Sequence, residues 1–250
     1  MERLVLGTWQ FALKNCSKED MKRVISYALQ RGIIWFDTAQ VYGNGAQETI
    51  LGTFPQAKVI TKIPAKEKPI TNGLPLEHFY TKEYIHKCYE ITLKRLGRPA
   101  DILLLHNWTD DWNDCKELYE WMYELKQRNM CRAIGLSLPD SYAGRVVPFP
   151  FDWIMAPLNS NADWIDRHYH EVHPDTKICV RSLFHRGSII PDDLSARAEC
   201  IHKASYADKI VIGMTREYTI EENISILEEG QRNEEYKAVG ETLRCRDRRS

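Results

Sequence analysis

The chain has 250 residues, of which 43% are hydrophobic and 28% are charged. A chain of this size can bury a sizeable core, and we predict one domain over residues 1–250. Lysine and arginine together number 34 against 35 acidic residues, which gives a formal charge of −1. No strongly basic surface is expected, so we do not expect the protein to bind nucleic acid.

Seven cysteines are scattered along the chain without a Cys-x-x-Cys pair. This pattern argues against a disulfide framework or a structural zinc site and favours a reducing compartment. The sequence has no signal-peptide pattern and no apolar stretch of about 18 residues, so we expect a cytoplasmic protein that does not contact a membrane. No exposed helix face has an unmistakable apolar excess, and a monomer is expected.

Eight short apolar runs rich in β-branched residues recur along the chain. Several are apolar at consecutive positions, which is typical of strands buried on both faces of a parallel sheet. Helical spacing between the early runs completes the strand–helix repeat of an α/β fold, so we predict a closed (β/α)₈ TIM barrel. The runs are Leu4–Gly7, Ile33–Thr38, Lys58–Ile63, Ile102–His106, Ala133–Ser137, Trp153–Leu158, Ile178–Leu183 and Lys209–Gly213.

Helices of the early units have clear boundaries. Ser17 and Thr81 are suitable N-cap residues for two of them, and Gly32 and Gly97 mark their ends. A third helix is predicted around residues 118–125, and further helices over 194–207 and 217–229. Residues 140–151 contain two prolines and little helical periodicity, so the later outer helices are predicted to be shortened. No long C-terminal loop is expected after the eighth unit.

Four polar residues, Asp37, Tyr42, Lys62 and His106, fall at or just after the C-terminal ends of separate runs. In a parallel barrel these ends open on one face, so the four side chains should converge. Tyrosine has a pKa of about 10 and needs a nearby cation to favour its phenolate, which Lys62 could supply while Asp37 pairs with it. A histidine there could donate to a carbonyl oxygen. The set suits carbonyl reduction, although each residue alone could have a structural role.

The stretches around these residues resemble the aldo-keto reductase family, in family order, over roughly residues 3 to 230. They are Leu6-Gly7-Thr8, Phe36-Asp37-Thr38-Ala39, Val41-Tyr42-Gly43, Ile60-Thr61-Lys62, Leu104-Leu105-His106, Ile134-Gly135-Leu136-Ser137, Arg181-Ser182-Leu183-Phe184, Ile212-Gly213-Met214-Thr215-Arg216 and Glu222-Asn223. The resemblance implies that Tyr42 is the general acid, that Lys62 and Asp37 tune it, and that His106 orients the carbonyl.

The resemblance also implies a bound NADP(H) across the top of the barrel, without a Rossmann domain. Arg216 would pair with the 2′-phosphate, which favours NADP over NAD, and Asn223 would reach the adenine. Other residues expected at the cofactor site are Gly7, Thr8, Trp9, Ser137, Asn159, Arg181, Ser182, Gly213, Met214, Thr215 and Glu222.

The nicotinamide site departs from the family pattern. Family members usually hold the carboxamide with a Ser-Asn pair after the fifth strand and a glutamine four residues before an asparagine in the sixth. Here Leu138 follows Ser137, and Met155 stands four residues before Asn159. Two of three expected amide contacts are replaced, each worth on the order of 1 kcal/mol. We therefore expect weaker nicotinamide binding.

Two further groups of residues have an open interpretation. Trp9, Trp108 and Trp164 could form an aromatic wall at the same mouth or could simply pack. A second group, His168, His170 and His173, has a spacing that a metal could use, but no carboxylate or cysteine in the sequence completes it convincingly. No metal is predicted.

The leading hypothesis is an NADPH-dependent reductase of a small aldehyde or ketone, with Tyr42 supplying the proton. A second hypothesis is an acid–base enzyme without a redox step, which would use Tyr42, Lys62 and His106 for elimination, isomerisation or cyclisation. Leu138 and Met155 motivate it. A third is a regulatory or scaffold protein that binds NADP(H) without turnover.

Overall fold

The computed structural model describes residues 1–67, 73–185 and 194–229. Eight parallel strands form a closed barrel in chain order, and β8 pairs with β1. The strands are Leu4–Gly7 (β1), Trp35–Asp37 (β2), Lys58–Ile63 (β3), Ala100–His106 (β4), Cys131–Ser137 (β5), Trp153–Pro157 (β6), Lys177–Arg181 (β7) and Lys209–Gly213 (β8). Each predicted run agrees with its strand within two residues at either end, so the predicted (β/α)₈ barrel is confirmed.

Helices surround the barrel. They are Trp9–Leu13 (α1), Lys18–Gln30 (α2), Ala46–Gly52 (α3), Lys82–Leu96 (α4), Lys116–Gln127 (α5), Trp164–His168 (α6) and Leu194–Lys203 (α7), followed by residues 217–229 (α8). Short 3₁₀ turns lie at Tyr42–Gly45, Leu76–His78, Asp110–Asp114 and Tyr169–Glu171. Within the described ranges, no helix is both long and apolar enough to span a bilayer.

The predicted helix caps of α2 and α4 are present. The Ser17 hydroxyl accepts a hydrogen bond from the Asp20 N–H at 3.0 Å, and Thr81 accepts one from the Tyr84 N–H at 3.2 Å. Each cap satisfies an N–H that the first helical turn leaves without a partner. Gly97 ends α4 with a φ of 68°, a left-handed conformation that favours glycine.

The later connections are shortened, as predicted. Helix α6 has only five residues, and no helix occurs between β5 and β6, a segment that the structure describes throughout. Pro148 and Pro150 lie in this segment, where they remove backbone donors that a helix needs. The expectation that no long C-terminal loop follows α8 concerns residues 230–250, which lie outside the described residues.

Two apolar clusters build the core. The larger one lies between the strands and the helices. The smaller one fills the barrel interior and consists of Val5, Ile60, Ile102, Leu104, Trp153, Met155, Cys179 and Val211. Near its lower end the Lys209 ammonium lies 4.1 Å from the Trp35 ring centroid. Because the barrel interior is packed with side chains, a ligand has room at the C-terminal ends of the strands rather than inside the barrel.

Gly135 in β5 is required by close packing between strands. A Cβ atom at this position would lie 2.1 Å from the Trp153 carbonyl oxygen and 2.7 Å from Leu104 Cδ2. A backbone carbonyl in a closed barrel cannot move aside cheaply, so we expect Gly135→Ala to lower the free energy of unfolding by about 1–3 kcal/mol. Urea unfolding measures the change, and an unaltered midpoint would contradict this packing.

Candidate active site

A cavity of about 420 Å³ opens at the C-terminal ends of the strands. Its wall is made by residues that end β1, β2, β4, β7 and β8 and by the segments that follow them. Those used below are Gly7, Trp9, Val41, Asp37, Tyr42, His106, Arg181, Ser182, Phe184, Val211 and Gly213. The barrel therefore brings residues from distant parts of the sequence to one site.

Lys62 and Asp37 form a buried ion pair at the cavity, in which Asp37 reaches the wall and Lys62 does not. The Lys62 ammonium donates to Asp37 Oδ1 at 2.5 Å and to the Thr38 carbonyl oxygen at 2.8 Å. The two charged side chains are only 1% and 5% exposed. The pairing that the sequence predicted is present, and it offsets the cost of holding a lysine in the barrel mouth.

Tyr42 and His106 lie above the ion pair, on the cavity wall. The Lys62 ammonium is 5.1 Å from the Tyr42 ring centroid. The Tyr42 and His106 rings meet edge to face, with centroids 6.4 Å apart and planes at 80°. The four residues predicted from the strand ends thus form one cluster.

Burial and the nearby opposite charges act in opposite directions on the pKa values of Tyr42 and Lys62. Burial raises the pKa of Tyr42 above its usual value, while the positive charges of Lys62 and Arg181 partly oppose that effect. Burial is the strongest single influence on Lys62 and would lower its pKa, but Asp37 and Tyr42 together outweigh burial, and the pKa is raised. Lys62 therefore stays positively charged, and Tyr42 stays protonated at neutral pH.

A buried carboxylate, for which no local sequence signal exists, supports the loop that carries Tyr42. Glu48 accepts hydrogen bonds from Thr61 at 2.7 Å, from Thr92 at 2.9 Å and from the Arg95 guanidinium at 3.0 Å. Arg95 packs against Gly45, where an added Cβ would lie 2.0 Å from the guanidinium carbon. These contacts fix the turn after Tyr42 against α4.

A second residue that the sequence does not single out, Tyr80, joins the ends of β3 and β4. The Tyr80 hydroxyl oxygen lies 3.1 Å from the carbonyl oxygens of both Ile63 and His106. It is fully buried. Nothing in its local sequence distinguishes it from a packing residue, because both partners are backbone atoms that come together only when the barrel closes.

The residues predicted to bind a cofactor divide into three groups. Five line the cavity, namely Gly7, Trp9, Arg181, Ser182 and Gly213. Thr8 is buried and donates its hydroxyl to the Asp37 carbonyl oxygen at 2.9 Å, so it bridges β1 and β2. The rest lie outside the cavity wall, with Met214, Thr215 and Arg216 directly after β8 and Glu222 and Asn223 on α8.

Two of these residues present buried polar atoms without a partner. Ser137 Oγ and Asn223 Oδ1 have no hydrogen-bond partner among the described residues. A buried polar atom without a partner is costly, so both are candidates to bind a ligand group. Asn159 differs, because its side chain already donates to the Ser182 carbonyl oxygen at 3.1 Å and accepts from the Asn161 N–H at 3.0 Å.

The two positions that depart from the family pattern are both apolar and buried. Met155 belongs to the cluster that fills the barrel interior. Leu138 is 1% exposed, and its carbonyl oxygen accepts a hydrogen bond from Arg181 at 2.7 Å. Neither side chain can replace an amide donor or acceptor.

Of the three tryptophans expected at the mouth, only Trp9 lines the cavity. Trp108 is fully buried in the outer core and donates to Asn113 at 2.9 Å. Trp164 donates to the Gly144 carbonyl oxygen at 2.8 Å. The hypothesis of an aromatic wall made of all three is therefore wrong. Trp108 packs against Trp112 and Phe151, and Trp164 packs against the segment after β5.

The histidines after β6 lie beside acidic residues of the same segment. The His168 Nδ1 atom lies 3.0 Å from a Glu171 carboxylate oxygen. No group of three or more potential metal-binding side chains is found within the residues that the structure describes. Likewise, the six cysteines within those residues are all free thiols.

Comparisons with known proteins identify the family to which the barrel belongs. The model of the aldo/keto reductase family matches residues 3–146. This is more than half of the chain, and the chain therefore belongs to this family.

Individual relatives match over shorter lengths. An aldo-keto reductase from Gibberella moniliformis is 31% identical over 135 residues, which are 51% of this chain and 39% of the relative. The Schizosaccharomyces pombe aldo-keto reductase yakc, whose name specifies NADP(+), is 26% identical over 129 residues, 48% of this chain and 37% of the relative. The chain thus matches less than half of the length of either protein.

The similarity of fold extends further than the similarity of sequence. The holo form of aldo-keto reductase AKR11C1 from Bacillus halodurans superposes with a TM-score of 0.67 at 18% identity, covering 90% of this chain and 86% of that one. At this identity the match shows a common fold.

Proposed function

We propose that the protein reduces an aldehyde or ketone with NADPH and that Tyr42 is the general acid. The observation that carries this proposal is the cluster that Tyr42, Lys62, Asp37 and His106 form at the cavity. A phenol beside a buried, charged lysine is suited to donating a proton. Membership of the aldo/keto reductase family supports the same chemistry.

Two residues fit NADP(H), which the family resemblance implies. Asn223 Oδ1, a buried acceptor without a partner among the described residues, could bind the exocyclic amine of adenine. Arg216 is exposed, and the part of the chain that the structure describes supplies it with no acidic partner. It could therefore pair with the 2′-phosphate, which favours NADPH over NADH. When bound, NADPH supplies a hydride.

Each residue of the cluster has a distinct part in the proposed reaction. Tyr42 gives its hydroxyl proton to the carbonyl oxygen. Lys62 stabilises the phenolate that remains, and Asp37 holds Lys62 in place and keeps it charged. His106 lies beside Tyr42 on the cavity wall, where it can donate to the same oxygen and orient the carbonyl.

The raised pKa of Tyr42 predicts a particular pH dependence. Reduction requires the protonated phenol, and burial raises the pKa of Tyr42 above its usual value. Activity should therefore persist from neutral pH into the alkaline range and fall only above pH of about 10, the ordinary tyrosine value. Initial rates at saturating NADPH across this range check it. A decline centred near neutral pH would show that deprotonation of Tyr42 is not the cause of the lost activity at alkaline pH.

A second candidate is an acid–base enzyme without a redox step. The observation that favours it is the loss of amide groups at the nicotinamide site, where Leu138 is buried and Met155 fills the barrel interior. Tyr42, Lys62 and His106 would remain able to move protons on a carbonyl compound.

A binding and turnover experiment separates these possibilities. NADPH and NADH are titrated against tryptophan fluorescence, and NADPH absorbance is then followed with a panel of aldehydes and ketones. The proposal predicts tighter binding of NADPH and consumption of it with at least one carbonyl compound. Absence of NADPH binding would overturn the proposal, whereas binding without turnover would favour a regulatory protein.

A further inference from the structure

Arg181 is a fixed cation in the wall of the cavity. It ends β7, and its side chain is 16% exposed. The guanidinium donates three hydrogen bonds, to Asp140 Oδ1 at 2.8 Å, to the Ser182 hydroxyl at 2.9 Å and to the Leu138 carbonyl oxygen at 2.7 Å. A guanidinium does not lose its proton in a protein. The cavity therefore keeps a positive charge at this position whatever ligand it holds.

The charge of Arg181 is only partly compensated. Asp140 is its one carboxylate partner among the described residues. It lies outside the cavity wall with 38% of its side chain exposed, so solvent screens it. Two of the five N–H groups of the guanidinium, the Nε–H and one N–H of Nη2, have no acceptor within the described part of the chain. A positive potential therefore remains at the end of β7.

The rest of the site does not offset this charge. Among the acidic residues, lysines and arginines that the structure describes, only Asp37 and Arg181 belong to the wall. The Asp37 carboxylate is paired with the Lys62 ammonium at 2.5 Å, so the three groups together carry one positive charge. The charge of Arg181 also reaches Asp37, Tyr42 and Lys62, where it acts to lower each pKa.

The two forms of the proposed cofactor differ in charge at the ring that carries the hydride. The nicotinamide ring has one positive charge in NADP⁺ and none in NADPH, while the rest of the molecule is the same. Hydride transfer requires contact between this ring and the carbonyl carbon. Since the carbonyl oxygen would meet Tyr42 and His106 on the cavity wall, the ring has to enter the cavity that Arg181 lines. A positively charged cavity repels the charged ring and not the neutral one.

We propose that Arg181 makes this cavity select the reduced cofactor, NADPH, over the oxidised form, NADP⁺. This inference rests on the proposed reductase function and goes beyond it, since contact with a cofactor does not by itself distinguish the two oxidation states. Because the site repels NADP⁺, the selection promotes release of the oxidised product. It therefore favours carbonyl reduction over alcohol oxidation.

Calorimetric titration of the full chain with NADPH and with NADP⁺ tests the inference without turnover. The expected affinity is about tenfold higher for NADPH, on the scale of a partly compensated repulsion between unit charges. Arg181→Met should bring the two affinities to within about twofold of each other, because it removes the repulsion. Arg181→Lys keeps the charge and should retain most of the difference.

Two other arginines provide matched controls. Arg145 is exposed and bound to Asp110 and Asp114, and Arg145→Met should leave both affinities unchanged. Arg216→Met removes the proposed partner of the 2′-phosphate, which is the same in both forms of the cofactor. It should therefore weaken NADPH and NADP⁺ equally and leave their ratio unchanged. A change of affinity is thus separated from a change of selectivity.

A ligand without a nicotinamide ring locates the effect of Arg181. The probe is 2′,5′-ADP, which contains the adenosine and the 2′-phosphate of NADP(H). Arg181→Met should bind it as tightly as the wild-type chain does, and this result also shows that the variant is folded.

The outcomes separate this inference from the proposed function. Equal affinities for NADPH and NADP⁺ in the wild-type chain, or a preference that survives Arg181→Met, would overturn the inference and leave the proposed function standing. If Arg181→Met weakened 2′,5′-ADP and NADPH equally, Arg181 would act on the phosphates, and the inference would be wrong. Absence of binding of all three ligands to the wild-type chain would remove the proposed function itself, and the inference with it.

Discussion

Replacing Tyr42 with phenylalanine is expected to lower kcat for aldehyde reduction by about 10²- to 10⁴-fold, the usual contribution of a positioned general acid. The substitution removes one hydroxyl and keeps the ring that packs beside Lys62 and His106. The fold and NADPH affinity should therefore change little. Initial rates with an aldehyde and a fluorescence titration with NADPH measure the two quantities separately.

A matched tyrosine is available as a control. Tyr123 lies on α5, outside the barrel, and its side chain is 39% exposed. Tyr123→Phe should retain the full rate. An undiminished rate in Tyr42→Phe would remove Tyr42 from the proposed mechanism, and a large loss of NADPH binding would show that its role is structural.

Replacing Lys62 with methionine should lower the free energy of unfolding more than Gly135→Ala or Lys126→Met does. The change leaves the Asp37 carboxylate buried without its cation, and breaking a buried ion pair in this way costs about 3–5 kcal/mol. Because burial raises the pKa of Asp37, a protonated Asp37 is tolerated better. The loss of stability should thus be greatest at pH values above the pKa of Asp37 in the folded variant. It should shrink as the pH falls towards about 4, the pKa of an aspartate in the unfolded chain.

A double substitution and a surface pair complete this test. Lys62→Met combined with Asp37→Asn removes both charges and should recover part of the lost stability. Lys126 and Asp152 are 2.6 Å apart with side chains 33% and 29% exposed, so Lys126→Met should cost at most about 1 kcal/mol. Urea unfolding compares them. If Lys62→Met and Lys126→Met lowered the free energy of unfolding equally, Lys62 and Asp37 would not be a strongly coupled buried pair.

The sequence predicted the barrel because the relevant signals are local. Consecutive apolar residues identify strands buried on both faces, and caps such as Ser17 and Gly97 act within one helical turn. The convergence of Asp37, Tyr42, Lys62 and His106 followed from topology, since all parallel strands end on the same face.

Other parts of the site depend on contacts that form only in the folded barrel. Glu48 is an ordinary acidic residue in the sequence, and its burial against Thr61, Thr92 and Arg95 depends on the packing of α3 against α4. Trp108 follows β4 as a rim residue would, but the aromatic packing beneath the next loop buries it.

The contacts of Arg181 at the cavity also form only in the folded barrel. The sequence placed it at a strand end with the predicted cofactor residues. Only the structure shows that three hydrogen bonds fix it and that two donors remain. These features depend on Asp140 and on the Leu138 carbonyl oxygen, about forty residues away along the chain.

The most direct test of the proposed function is the stoichiometry of the reaction. NADPH consumption and alcohol formation are measured together, with an aldehyde from the panel as substrate and Tyr42→Phe in parallel. The proposal predicts one alcohol formed for each NADPH consumed, and little of either with Tyr42→Phe. Conversion of carbonyl compounds without NADPH consumption, or NADPH binding with no alcohol formed from any aldehyde or ketone tried, would contradict it.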